Sequence, residues 1–195
     1  IVLFSALVAP EVLVSDRRNG MLAMYLSTPL DRRTYLMAKA VAVVATLGLV
    51  TLGPPVLLLI GYTVESAGPD GVDGWLWTLV RIVASGVAIS AALAAVSMAA
   101  SSLTDRRAFA AIGIVLLVLA APILTAALVE GAELSASFRL LDISSMPFEL
   151  VFRIFDQPGN FPELSTWSVL VSNLVWTLGG VAVVWWRYSK LVIAR

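Results

Sequence analysis

The sequence predicts an all-α fold, a polytopic bundle of transmembrane helices. Hydrophobic residues make up 59% of the 195-residue chain and charged residues only 13%, and the mean hydropathy is +0.93. Soluble domains typically hold about 45–50% apolar and about 25% charged residues. The apolar residues occur in long runs rather than in short alternating stretches, which favours helices over strands as the membrane-spanning elements.

Four of these runs are long enough to cross a bilayer. We predict complete spans at 40–62, 75–102, 109–129 and 167–186. The first stretch, 1–14, is also mostly apolar but shorter than the roughly 20 residues that a span needs. We interpret it as the end of a truncated span and expect the chain to be an N-terminally truncated piece of a longer protein. Residues 1–195 then form a single transmembrane domain, with a polar loop at 15–39 and an outer interfacial segment at 130–166.

The polar loop at 15–39 has a repeated charge pattern. Residues 16–18 and 31–33 are both Asp-Arg-Arg, and a short apolar segment lies between them. Three of its residues follow the i, i+3, i+4 spacing of one helix face, which predicts a short amphipathic helix that Pro29 would end. These residues are Leu22, Tyr25 and Leu26. Such a helix could transmit a push from a soluble partner to the spans; the alternative is a solvated basic loop that only sets topology.

A longer pattern runs through the same loop. It consists of Asp-Arg-Arg-Asn-Gly at 16–20, Tyr-Leu-Ser-Thr-Pro-Leu-Asp-Arg-Arg at 25–33, and Lys39. The pattern resembles the cytoplasmic loop of ABC transporter permeases of the type-2 (ABC-2) family. That loop carries an acidic/basic pair and a glycine, a Leu-x-x-Pro-(small)-Arg turn, and a lysine that opens the next span. The resemblance implies that the loop couples the spans to an ATPase. The residues with this implied role are Glu11, Asp16, Arg17, Arg18, Asn19, Gly20, Tyr25, Leu26, Pro29, Arg32, Arg33 and Lys39.

Basic residues are concentrated on one side of the predicted spans. Ten of the thirteen Lys and Arg residues lie in or beside the loop at 15–39, in a second short turn, and in the C-terminal tail. The second turn contains Asp105, Arg106 and Arg107. Because cytoplasmic loops are enriched in Lys and Arg, we predict a multi-pass protein of the cytoplasmic membrane. The loop at 15–39, the second turn and the C-terminus would face the cytoplasm.

The outer segment contains a predicted amphipathic helix at 145–155. Ser145 is suited to the N-cap and Pro147 to the first turn. Four apolar residues share one face, and Glu149 and Arg153 are spaced i, i+4 on another. The apolar face consists of Phe148, Val151, Phe152 and Phe155. We expect this helix to lie in the outer membrane interface or to cap the bundle. The ABC-2 permeases similarly carry outer helices before their last span.

The span at 75–102 contains a stripe of small residues and one basic residue. Gly86, Ser90 and Ala94 are four residues apart, and small residues at that spacing let membrane helices approach closely. We therefore predict that this face is buried in the bundle or at a subunit interface. Arg81 has two interpretations: an anchor whose long side chain reaches the membrane interface, or a residue of the transport pathway.

The composition excludes several kinds of chemistry. The chain has no cysteine and no histidine, so it has no disulfide and no thiolate or imidazole metal site. It lacks the G-x-x-x-x-G-K-[ST] sequence that cradles nucleotide phosphates. Its formal net charge of zero gives no indication of a nucleic-acid partner. We therefore predict that the chain is not an enzyme and has no catalytic, cofactor-binding or metal-binding residues.

The resemblance implies a function in transport. The chain would be the membrane-spanning permease subunit of an ATP-driven ABC exporter. A separate ATP-binding subunit would hold ATP and Mg, and a second permease copy or a paralogue would complete the pathway as a homo- or heterodimer. The alternative is a non-ABC membrane protein, such as a secondary transporter or a scaffold subunit. An ion-driven carrier is expected to have an ionisable group near the middle of the bilayer. The predicted spans hold none apart from Arg81, which counts against this alternative.

Overall fold

The computed structural model describes residues 1–19 and 32–190. Within these ranges the chain is helical and has no strand, which confirms the predicted all-α fold. The helices are α1 (Val2–Arg18), α2 (Arg32–Val64), α3 (Gly71–Ser102), α4 (Arg107–Ala126), α5 (Met146–Ile154) and α6 (Thr166–Ser189). A π-helical turn, Ala127–Gly131, continues α4, and a 3-10 helix, Ala136–Leu141, precedes α5.

Four helices are long and apolar enough to cross a membrane, and they correspond to the four predicted spans. They are α2, α3, α4 with its π-helical turn, and α6. The longest, α2, has 33 residues, which is about 50 Å of helix and exceeds the roughly 30 Å hydrocarbon core of a bilayer. It begins at Arg32, earlier than the predicted boundary at 40, because the helix continues through a polar flank that hydropathy alone does not mark.

The central element is α3, which contacts α1, α2, α4, α5 and α6. Fourteen of its residues are buried, and nine of these are Gly, Ala or Ser. Small side chains bring neighbouring backbones close together, which is the main source of helix association in lipid. Ser90 Oγ donates a hydrogen bond to the Gly86 carbonyl (2.7 Å), and Ser101 Oγ donates to the Ser97 carbonyl (2.7 Å). These hydroxyls are satisfied within their own helix, so burying them leaves no unpaired donor.

The predicted small stripe lies in the interior of the bundle. Ser90 and Ala94 are each 1% exposed, and Gly86 is buried. A Cβ atom at Gly86 would overlap the Leu52 side chain of α2. At the same point Thr51 Oγ1 of α2 donates a hydrogen bond to the Gly86 carbonyl (3.3 Å). A glycine therefore sets the spacing between α2 and α3.

A second glycine sets the spacing between α3 and α6. A Cβ atom at Gly180 would lie 2.7 Å from both the carbonyl carbon and the carbonyl oxygen of Ala95. These are backbone atoms of the central helix and cannot move aside without shifting it. The preceding glycine, Gly179, has nothing within 4 Å of its own Cβ position. Gly180 thus lies at a close helix contact, whereas the adjacent Gly179 faces open space.

The first helix is part of the core. Ala9 and Leu13 of α1 are fully buried, in one cluster with Leu47 of α2, Leu93 of α3 and Val184 of α6. The helix continues to residue 18, four residues past the predicted end of the first stretch. The opposite surfaces of the long helices carry large exposed side chains. Examples are Leu49, Leu57, Ile123, Leu124 and Leu178. An apolar exterior of this extent fits a lipid environment and would favour association in water.

The two adjacent glycines of α6 give a stability prediction. We expect Gly180→Ala to destabilise the purified protein by about 1–3 kcal/mol, because overpacking a close backbone contact has a cost of that order. Gly179→Ala is the matched control: it adds the same methyl group into open space and should be neutral or stabilising by up to about 1 kcal/mol, the helix preference of Ala over Gly. Thermal unfolding in one detergent measures both. Equal melting temperatures for the two variants would contradict the Gly180–Ala95 contact.

Candidate functional site

The ends of α1, α2, α3, α4 and α6 come together at one rim of the bundle, called here the loop-side rim because α1 ends and α2 begins there. Glu11 of α1 forms an ion pair with Arg107 at the start of α4. Arg187 Nε of α6 donates a hydrogen bond to the Ser102 carbonyl at the end of α3 (3.4 Å). The Tyr35 ring of α2 lies 6.3 Å from the Tyr188 ring of α6. Residues predicted from charge alone to share one side are therefore joined by direct contacts.

The residues that the sequence suggested for coupling are distributed around this rim. Residues 16–18 form the last turn of α1, and Asn19 follows in an exposed turn. Arg32 begins α2, with Arg33 and Lys39 in its first turns. In the second turn Asp105 and Arg106 are exposed, and the Arg106 backbone N–H donates to Thr104 Oγ1 (3.3 Å). The remaining predicted residues lie outside the described ranges, as does most of the predicted amphipathic helix. They are Gly20, Tyr25, Leu26 and Pro29.

Several cations lie over aromatic rings at the loop-side rim. The Arg33 guanidinium lies 5.6 Å from the Trp185 ring centroid, and Lys190 Nζ lies 4.1 Å from that of Trp186. Lys39 Nζ lies 5.7 Å from the Tyr35 ring centroid. Long basic side chains cover aromatic surface while their charges remain near water, and each such contact is worth about 0.5–1 kcal/mol at an exposed site. The aromatic partners were not singled out from sequence, although the Trp-Trp-Arg-Tyr run at 185–188 is a membrane-interface pattern.

A cavity of about 380 Å³ lies between α2, α3 and α6 next to this rim. Its walls include Val44 of α2, Ala91 of α3 and Val181 of α6, and Arg33 and Trp185 lie at one end. The volume is in the range of small-molecule sites, about 300–1,000 Å³. Sequence reasoning did not predict this cavity, because its walls come from three segments that are far apart in the chain.

At the opposite end of the bundle, the outer segment carries paired charges. Arg81 forms an ion pair with Asp156, in the turn after α5, and its guanidinium lies 5.4 Å from the Trp77 ring centroid. Arg139 pairs with Glu130, and its Nε lies 3.8 Å from Glu163 Oε1. The contacts of Arg81 are those of an interfacial anchor, the first of the two interpretations given above.

The buried face of α5 differs from the predicted one. Glu149, Met146 and Leu150 are buried, whereas Phe148 of the predicted apolar face is 38% exposed. Helical spacing had placed Glu149 and Arg153 as an i, i+4 pair on a second face, and the structure forms this pair at 3.0 Å. The glutamate is nevertheless buried, because the protein supplies partners for the carboxylate and a compensated charge can be buried.

Glu149 is the centre of a clasp that closes the outer segment. Its Oε1 accepts a hydrogen bond from Arg153 Nη2 (3.0 Å), and its Oε2 accepts from the Asn160 backbone N–H (2.8 Å). Arg153 also donates to the carbonyls of Phe161 (2.9 Å) and Leu164 (3.1 Å). Gly159 lies so close to the carboxylate that a Cβ atom there would overlap it. The clasp thus joins α5 to the chain that leads into α6.

Polar side chains of α6 attach the outer segment to the bundle. Asn173 Nδ2 donates a hydrogen bond to the Met146 carbonyl (2.9 Å), and Ser172 Oγ donates to the Leu140 carbonyl (2.6 Å). Trp176 Nε1 donates to the same Leu140 carbonyl (3.3 Å). The sequence signal for these contacts was a short polar run, Ser-Asn at 172–173, inside an otherwise apolar span. In the part of the chain that the structure describes, no group of three or more acidic residues could hold a metal ion.

The clasp predicts that two glutamates of one segment differ in their contribution to stability. Glu149→Ala leaves Arg153 without its carboxylate, and removing one partner of a buried ion pair costs about 3–5 kcal/mol. Glu163→Ala removes a partly exposed partner of Arg139, for which the loss should be about 0–1 kcal/mol. Thermal unfolding of the purified variants tests this difference. A Glu149→Ala protein as stable as Glu163→Ala would show that the clasp does not stabilise the fold.

Comparison with known proteins agrees with this architecture. A sequence model of the family described as "ABC-2 family transporter protein" matches residues 1–191. Comparisons with curated proteins and with solved structures gave no match. The matched residues include the loop-side rim, the four long apolar helices and the outer segment. The match supports a multi-pass membrane protein that acts as a transport permease rather than as an enzyme. The chain belongs to the ABC-2 family of transporter proteins.

Proposed function

We propose that this chain is the membrane-spanning permease subunit of an ATP-driven ABC exporter, with ATP hydrolysed by a separate subunit. Membership of the ABC-2 family supports a permease and disfavours the non-ABC alternatives. The observation that carries the coupling part of the proposal is the packing of the two helices that flank residues 20–31. Both helices, α1 and α2, pack on the central helix α3. A force on the loop would therefore reach the core of the bundle.

Two further contacts extend this connection to the other spans. The Glu11–Arg107 ion pair joins α1 to α4, and the Tyr35–Tyr188 ring contact joins α2 to α6. Along α2 the force would reach the outer end, where Trp75 Nε1 of α3 donates a hydrogen bond to Thr63 Oγ1 of α2 (3.1 Å). Rigid helices joined by discrete contacts are the elements that carry such coupling.

The proposed partners follow from this arrangement. An ATP-binding ABC subunit, with ATP and Mg²⁺ in its own site, docks on the loop-side rim in the cytoplasm. A second permease copy or a paralogue completes the pathway. An exposed apolar groove between α1 and α4, lined by Leu3, Leu7, Ile112 and Leu116, provides a surface of suitable chemistry for that neighbour. The excess of Lys and Arg on the loop side supports its cytoplasmic orientation.

The coupling assignment is tested by introducing a proline into the loop. Gly20→Pro should lower the transport obtained per ATP hydrolysed while leaving membrane insertion intact. The reason is that proline fixes φ near about −65° and removes a backbone N–H donor at a position where the family resemblance has a glycine, so it should change the geometry of the loop. The assay is substrate export and ATP hydrolysis by the permease reconstituted with its ATPase.

The matched control is Ala136→Pro in the outer segment. Ala136 begins the 3-10 helix, and the preceding Ser135 has a ψ of 138°, which suits a residue before proline. This variant should transport normally. Normal transport by Gly20→Pro as well would overturn the coupling role of the loop.

Orientation is tested by single-cysteine labelling, for which the cysteine-free chain gives a clean background. Cysteines at Asp70 and Asn160 should react with an impermeant thiol reagent in right-side-out vesicles, and one at Arg106 should react only after permeabilisation. All three residues are exposed, so burial cannot explain a difference in reactivity. Labelling of the Arg106 position in sealed vesicles would reverse the proposed topology.

A further inference from the structure

The cavity between α2, α3 and α6 has an apolar interior and one cationic end. Among the described side chains that line it, Trp185 has its indole N–H, and only Arg33 and Thr177 carry another polar nitrogen or oxygen. The Thr177 hydroxyl donates to the Asn173 carbonyl of its own helix (2.8 Å), so it offers no free donor to a ligand. Arg33 is thus the charged group that the described residues place at the cavity.

The cavity is elongated along α2. It extends from Arg33 to Val44, which is about 16 Å of helix. An apolar space of this length suits an extended hydrocarbon chain. Small side chains of α3, Ala91, Ala94 and Ala95, leave this space open.

The cavity opens sideways toward the lipid. Met37 of α2 is 67% exposed, and Val181 and Trp185 of α6 are also exposed although they line the cavity. These residues belong to helices that are long and apolar enough to cross the membrane. A lipid of the surrounding leaflet could enter between α2 and α6 without passing through water.

The charge at the rim indicates the headgroup. The Arg33 guanidinium lies over the Trp185 ring, and among the described residues no carboxylate forms an ion pair with it. An exposed arginine at the end of an apolar cavity is complementary to an anionic group attached to an acyl chain. A guanidinium also matches the geometry of phosphate oxygens.

We infer that this cavity binds one acyl chain of an anionic phospholipid from the loop-side leaflet, with its phosphate on Arg33. The bound lipid would contact both α2 and α6 and so stabilise the contact between the helix that follows the coupling loop and the last span. This inference goes beyond the transport function, and it requires neither an ATPase nor an identified substrate.

The test is lipid binding to the delipidated, purified chain in detergent. Phosphatidylglycerol and phosphatidylcholine with brominated acyl chains serve as probes, because bromine quenches the fluorescence of nearby tryptophan. We expect saturable quenching by phosphatidylglycerol that is reduced in Trp185→Phe, which identifies the tryptophan at the cavity. Phosphatidylcholine should bind more weakly to the unmodified chain.

Two variants test the contributions of the lipid headgroup and of the acyl chain separately. Arg33→Gln should weaken phosphatidylglycerol binding about fivefold, corresponding to about 1 kcal/mol for one basic residue near an anionic lipid. It should weaken phosphatidylcholine binding less, because the choline cation of that headgroup offsets the charge of its phosphate. Ala91→Phe should fill the cavity and abolish the Trp185 quenching by both lipids. Val181→Phe, at an exposed position of the cavity wall, provides the same test if Ala91→Phe does not fold.

The control for general charge attraction is Lys190→Gln, because Lys190 lies on the same rim over Trp186 but does not line the cavity. This variant should bind phosphatidylglycerol at least severalfold more tightly than Arg33→Gln. Equal losses in the two variants would show that the lipid responds to the basic rim as a whole and would overturn the site. Unchanged Trp185 quenching in the filled variants would also overturn it, as would equal affinity of the unmodified chain for the two headgroups.

Discussion

The close approach of other helices to α3 is the constraint on which the fold depends. Helices surrounded by lipid gain little from hydrophobic transfer when they associate, so they depend on packing and polar contacts. Gly86 admits the side chain of Leu52, and Gly180 lets α6 approach the backbone of Ala95. Buried serines and alanines extend this surface along α3, which also contacts α1, α4 and α5. If these small residues were enlarged, every neighbouring helix would have to move outward.

Both ends of the bundle combine ion pairs with cations that lie over aromatic rings. At the outer end Arg81, Arg139 and Arg153 all pair with acidic residues of the same side. At the loop-side rim Arg107 pairs with Glu11, whereas Arg33 and Lys190 lie over tryptophan rings. A cation over an aromatic ring keeps part of its charge accessible to water and to ligands. These two basic residues suit the proposed interactions of the loop-side rim with a partner and with anionic lipid.

The second helix connects these features to transport. It begins beside the loop, forms one wall of the cavity, meets α3 at Gly86, and ends near the Thr63–Trp75 hydrogen bond. The helix is about 50 Å long, carries Pro54 and Pro55 in its interior, and contributes buried residues from Tyr35 to Leu59. The proposed coupling loop and the proposed lipid site therefore act on the same element. A lipid in the cavity would contact both α2 and α6 and would therefore favour the arrangement of these two helices in which the cavity closes around it.

The sequence by itself determined the helical class, the four long apolar helices, the sharing of one side by the basic loops, and the small stripe from Gly86 to Ala94. These features are local, since hydropathy, charge and spacing can be read within one helix. Only the tertiary structure distinguished Gly180 from Gly179, because that difference is the proximity of Ala95, 85 positions away along the chain. It also decided that Glu149 is buried, because the partners that make burial tolerable come from a turn and a loop rather than from the helical pattern. The cavity has the same origin: small residues on three separate helices leave a space that no single segment encodes.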